Sequence, residues 1–131
     1  KYSKNSYGKV IFCGYTDDPS SMLCTADVIC LPSYREGFGS VLIEAAAMGI
    51  PSIASDIYGI TDAVVNNKTG LLHRPGSPDE IKALMEVLIK NPRYMNKLSF
   101  FAKKRAEQVF DSRKIEKHWI NFYESILDSY V

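Results

Sequence analysis

The chain has 131 residues, 46% hydrophobic and 24% charged, an ordinary balance for one globular domain with a real core. Its formal net charge of +1 supplies no field for nucleic acid, and no basic run marks a dedicated membrane patch. The longest apolar stretch is broken by Glu44, Gly49 and Pro51, so no segment reads as a membrane span, and no secretory signal opens the chain.

The first residues (KYSKNSYGK) are polar, like a loop between elements, and Lys1 is not a natural start, so the chain is expected to be a piece of a larger protein. Lys9 to Cys13 (KVIFC) is a short apolar run ending at Gly14 and predicts a first parallel strand. Asp18 before Pro19 reads as an N-cap with proline at the first helical position, opening a short helix through Ala26. Val28 to Leu31 is the second strand. The three cysteines (Cys13, Cys24, Cys30) lack C-x-x-C spacing, and Cys13 and Cys30 fall in predicted buried strands, which predicts reduced thiols in a cytoplasmic protein.

The next stretch, Pro32 to Gly49, reads PSYREGFGSVLIEAAAMG. A strand runs into a loop with a carboxylate (Glu36) beside two glycines (Gly37, Gly39), and a helix with one charge, Glu44, begins at about Ser40. Glycines at such a junction let backbone N–H groups face a ligand, and a helix N-terminus adds about half a positive charge, which together predict an anion site suited to phosphate. Glu44 lies four residues after Ser40, on the same helix face and about 6 Å further along the axis. A diphosphate at the helix start would bring its ribose to Glu44, and Glu36 would face the group on the other phosphate. Few polar neighbours surround Glu44 in sequence, so its carboxylate is expected to need partners.

Ser52 to Ser55 (SIAS) is the third strand, Asp56 to Gly59 a loop, Ile60 to Val65 a short helix, and Gly70 to His73 (GLLH) the fourth strand. Strands alternating with helices predict an α/β fold, a Rossmann-like parallel sheet covered on both faces, with its ligand site at the C-terminal strand ends. Ser77, Pro78 and Glu80 read as a capping box that launches a helix with Ile81, Leu84, Met85 and Leu88 on one face. Asn91 and Pro92 start another, striped by Met95, Leu98, Phe101, Ala102 and Ala106, and Ser112 starts a last one with Ile115, Trp119, Phe122, Tyr123, Ile126 and Leu127.

Glu36 and Glu44 with seven residues between them, set in EGFG and followed by EAAAMGIPSIASD and TGLL, resemble the donor-binding motif of retaining GT-B glycosyltransferases of the family 4 kind (glycosyl transferases group 1). The match runs from about Val10 to Leu72. It implies that residues 1–131 are a single nucleotide-sugar-binding domain, the C-terminal half of a GT-B fold, without the N-terminal acceptor domain. It implies that Glu36 contacts the transferred sugar and stabilises the reacting centre, with Gly37, Phe38 and Gly39 offering N–H groups to that sugar. Phe38 is expected to pack rather than bind. Ser40, Val41 and Leu42 would donate to the diphosphate and Glu44 would hold the ribose.

The substrate implied is a nucleoside diphosphate sugar, with no cofactor and no metal, since no metal-spaced cluster or D-x-D pair lies near the site. The resemblance places the phosphate-binding Arg and Lys pair before Lys1, and it assigns any peripheral membrane contact to the absent half. Arg35 is read as surface charge, His73 and His118 as structural, Asp62 as a family acidic position or a local helix cap, and Tyr58 to Thr61 as pocket lining. In GT-B enzymes the last helix crosses back to the N-terminal domain, so part of the Trp119, Tyr123 and Tyr130 surface is expected to lack its partner. The alternative is that these residues pack on the local core. Cell-envelope glycan synthesis is the expected setting, with a GT-B sugar nucleotide epimerase or a non-catalytic interaction module as the other readings.

Overall fold

A computed structural model describes residues 10–129 of the chain. Three short parallel strands, β1 (Ile29–Leu31), β2 (Ser52–Ser55) and β3 (Gly70–His73), form one sheet in the order β1-β2-β3. Ile29 pairs with Ser52, and Ser52 in turn with Gly70, so the C-terminal ends of all three strands lie along one edge of the sheet.

Alternate strand residues face opposite sides. On one face Ala54 packs with Leu42 of α2 (Ser40–Ala47) and with Ile60 and Ala63 of α3 (Ile60–Ala63). On the other, Ile53 and Leu71 pack with Leu88 of α4 (Pro78–Lys90) and Leu98 of α5 (Pro92–Val109). Both faces of a parallel sheet are therefore covered, as the α/β pattern predicts. α5 also runs beside α2, where the Ser99 hydroxyl donates to the Gly49 carbonyl. Residues Ala102 and Ala106 are buried because only small side chains allow that close approach.

The first expected strand does not form. Residues 10–13 carry no strand, and Val10 and Ile11 are each 63% exposed; Lys9 lies outside the described residues. An apolar run signals burial only where another element covers it, and no helix or ladder does so here among the described residues. Cys13 is consequently exposed, while Cys30 is partly buried and its thiol is pushed above its ordinary value by that burial.

α1 (Pro19–Leu23) starts as expected, with Asp18 accepting from the Ser21 N–H at 3.2 Å, but ends three residues early. The capping box is also rearranged. Ser77 is the N-cap of α4 without a side-chain bond, and Glu80 reaches instead to the Arg74 N–H at 2.7 Å and its guanidinium.

α6 (Ser112–Asp128), capped by Asp111, buries none of its residues. Trp119 is 54% and Tyr123 59% exposed, and the two rings stack on each other at 5.9 Å rather than on the sheet. Of the two expectations for this helix, the unpartnered one describes it; Tyr130 lies outside the described residues.

Candidate functional site

The segment from Pro32 to Gly39 leaves the C-terminal end of β1 and enters α2. Gly39 is the N-cap of α2 with φ +64 and ψ 47, a left-handed conformation in which a β-carbon would also stand 3.2 Å from Leu42. Its carbonyl accepts from the Leu42 N–H at 2.9 Å. The first N–H groups of a helix have no intrahelical acceptor. Of the three expected diphosphate donors, Leu42 thus has an acceptor within the turn, whereas the Ser40 and Val41 N–H groups precede the first helical acceptor.

The loop is supported from beneath by Gly59, the N-cap of α3, whose φ is +87. A β-carbon there would meet the Glu36 and Gly37 carbonyls, so only glycine fits between α3 and the loop. On the other side Phe38 sets its ring edge-on to Phe110, with centroids 5.7 Å apart. Phe38 thus packs, as expected, though 44% of it stays exposed. Glu36 is half-buried, and its carboxylate accepts from the Ser33 hydroxyl at 3.4 Å.

An open cleft of about 430 Å³ lies over this loop, lined by Tyr34, Arg35, Glu36, Gly37, Ile57 and Tyr58. Glu36 and Gly37 therefore face a space large enough for a sugar; of the expected lining Tyr58 to Thr61 only Tyr58 borders it, Gly59 being packed under the loop and Ile60 buried in the core. Arg35 is exposed, as its surface reading has it, but it also belongs to the cleft wall. Tyr34 and Ile57 were not legible from the sequence, since nothing in their own types or spacing sets them apart from ordinary loop and packing residues.

Ser40 and Glu44 are both exposed on the same edge of α2, which agrees with their four-residue spacing. This exposure corrects the expectation that the Glu44 carboxylate needs partners. α2 buries only Leu42 and Ala45, so the Glu44 carboxylate stands in water and needs no protein partner. It is accessible to a ligand lying along the helix start.

His73 is buried, and Nδ1 lies 2.8 Å from the Arg74 carbonyl. A carbonyl only accepts, so Nδ1 carries the proton. His73 Nε2 and the Ser55 hydroxyl, on register-paired positions of β3 and β2, are buried without a hydrogen-bond partner among the described residues. His118 is exposed on α6, far in sequence from His73. Asp62 is exposed in the first turn of α3 but does not cap it, because Gly59 is the N-cap. Among the described residues no group of three His, Cys, Asp or Glu side chains is placed to hold a metal ion.

A parallel α/β sheet with a glycine-capped helix beside a carboxylate loop at its C-terminal edge defines half of a doubly wound fold, in which ligand sites lie at that edge. The family model for glycosyl transferases group 1 matches residues 2–105, and the chain belongs to that family as a C-terminal domain of GT-B type. It is 32% identical over 118 residues to the capsular polysaccharide biosynthesis glycosyltransferase CapM of Staphylococcus aureus, covering 90% of this chain and 31% of that protein. It is 34% identical over 105 residues to a D-inositol 3-phosphate glycosyltransferase of Rhodococcus erythropolis, covering 80% of this chain and 22% of that protein. The chain thus spans a third or less of the length of these relatives.

Among solved structures, Anabaena Alr3699/HepE in complex with UDP superposes with a TM-score of 0.84 at 25% identity, over 87% of this chain and 32% of that one. The sucrose-phosphate synthase of Thermosynechococcus elongatus does so with 0.75 at 30% identity, over 79% of this chain and 26% of that one.

Proposed function

We propose that this chain is the donor-binding part of a retaining glycosyltransferase, which moves a sugar from a nucleoside diphosphate sugar to a glycan or lipid-linked acceptor. The observation that carries the reading is the cleft faced by Glu36 and Gly37, on the loop that Gly39 joins to the start of α2. The family membership and the likeness to HepE, which was solved with UDP and with UDP-glucose, support it.

In this reading the Ser40 and Val41 N–H groups hold the diphosphate. Glu44 accepts from the ribose hydroxyls, and the sugar lies over Gly37, Phe38 and Gly39 with Glu36 against its hydroxyls. The bond from the anomeric carbon to the diphosphate oxygen breaks, and a bond to an acceptor oxygen forms on the same face while the acceptor loses its proton. Negative charge grows on the leaving diphosphate, and fixed N–H donors stabilise it without reorganising. The reaction uses no metal. The acceptor is held by another part of the protein, which works in the cytoplasm at the inner face of the membrane, on cell-envelope polysaccharide.

Among the described residues Arg35 is the one cation lining the cleft, so the chain by itself binds donor weakly, on the order of millimolar or about 4 kcal/mol, and turns nothing over. A two-dimensional amide NMR titration with UDP, GDP and ADP, beside Glu44→Gln, tests this. Shifts centred on residues 37–44 for one nucleotide, weakened in the variant, are expected. Shifts centred elsewhere, or equal in both proteins, would overturn the site. Sugar transfer by the chain alone would overturn its role as a part.

A further inference from the structure

We propose that Arg105 is a positioning residue for the sugar-facing half of the donor loop, acting through Phe110 and α3 without touching the donor. The proposal rests on the donor site argued above. Arg105 is partly buried, and its Nη2 donates to the Asp62 carbonyl at 2.8 Å and its Nε to the Ala63 carbonyl at 3.3 Å. These are carbonyls at the end of α3 that the helix itself leaves without partners. The same guanidinium lies over the Phe110 ring, with Cζ 5.2 Å from its centroid.

Both contacts lead to the loop. Phe110 receives the edge of Phe38, and α3 begins at Gly59, which abuts the Glu36 and Gly37 carbonyls. One side chain therefore fixes the two supports on which residues 36–38 rest. The start of α2 is set separately, by Gly39 and its bond from Leu42. Loss of Arg105 should then disturb the sugar side of the site and spare the nucleoside side. A lysine cannot replace it, because a single ammonium lacks the planar fork that reaches two carbonyls while stacking on a ring.

Backbone 15N relaxation of the free chain tests this without any ligand. In Arg105→Lys, Arg105→Met and Phe110→Leu, the heteronuclear NOE at Gly37 and Phe38 falls and their amide shifts move, while those of Ile53 and Leu71 hold. Unchanged loop signals in Arg105→Met overturn the proposal, and so do equal changes at Ile53 and Leu71, which would mean general loosening. A second arm titrates UDP and UDP-glucose. Arg105→Lys should weaken UDP-glucose about tenfold, the equivalent of one charged hydrogen bond, and UDP less than about twofold. An equal loss for both ligands would overturn the claimed split. If the unaltered chain binds neither, the donor-site reading fails, and the loop signals still decide whether Arg105 positions residues 36–38.

Discussion

A β-carbon on Gly59 would stand 2.5 Å from the carbonyl oxygen of Glu36, and at the same distance from that of Gly37. The loop bearing the carboxylate and the N-terminus of α3 are thus packed backbone on backbone, with no side chain between them. This places the Glu36 loop at a height fixed by α3, and α3 in turn by the core residue Ile60.

Gly59→Ala follows directly. The variant must push the 36–37 backbone away and must also hold a left-handed φ of +87, a strain of about 1 to 2 kcal/mol before the clash is counted. A fall in thermal midpoint of several degrees and at least a tenfold loss of nucleotide-sugar affinity are expected, by thermal unfolding and by the titration above. A variant with wild-type midpoint and affinity would show that the loop is not seated on α3.

Glu44→Gln should behave in the opposite way. The side chain is exposed and no hydrogen bond or ion pair is made to it among the described residues, so stability should stay within about 0.5 kcal/mol. Nucleotide affinity should fall about tenfold, as expected for one charge-assisted bond to a hydroxyl. Denaturant unfolding beside the titration separates the two effects, and an equal loss in both would make Glu44 a structural residue.

Ser55→Ala is expected to stabilise. The hydroxyl is buried at the C-terminal end of β2 with no partner among the described residues, and an unsatisfied buried polar group costs about 1 to 3 kcal/mol. Its removal leaves only a small void, so a net gain of about 1 kcal/mol should appear as a higher midpoint in urea. A lower midpoint would mean that the hydroxyl is satisfied in solution.

Three carboxyls are held below the ordinary carboxylate range: Glu80 by the Arg74 N–H and guanidinium, Glu86 by Lys90 and Asp111 by Arg113. Each has its folded value depressed, so the stability it contributes is present above the ordinary range near pH 4.3 and is lost as pH falls through the depressed values. All three pairs lie at the surface and are weakened by salt. Thermal midpoints measured from pH 7 to pH 3 should drop more steeply for the unaltered chain than for Glu80→Gln. Parallel curves would show that the Arg74 pairing does not persist in solution.

The order of helices and the last three strands could be read in advance because each apolar period is long enough to fix its own type, and Gly39, Gly49 and Pro51 punctuate them. Residues 10–13 misled because a strand needs a neighbour, which no local pattern supplies. Glu44 misled in a different way. Apolar composition around it implies burial, whereas only Leu42 and Ala45 on its helix are buried. Glu36 and the glycines stood out because they sit together on one loop. Gly59 reads in sequence only as part of the Tyr58 to Thr61 lining, and Phe110 and Arg105 not at all, since their bearing on that loop arises only when α3 and the end of α5 are brought to it in space.

α6 buries no residue, and its aromatic side chains pack on one another: Trp119 stacks on Tyr123 and meets Phe122 edge-on at 5.9 Å. A helix that adds no buried area to the core adds little to its stability. Ending the chain after Asp111, which keeps Phe110 against Phe38, should leave cooperative unfolding intact and move the midpoint by no more than about 4 °C. The same change should reduce binding of a hydrophobic dye, because the exposed Trp119, Phe122 and Leu127 surface leaves with it. Loss of cooperative unfolding would mean that α6 folds back onto the domain in solution, and the Trp119 indole would then show a blue-shifted, quencher-protected emission in the intact chain.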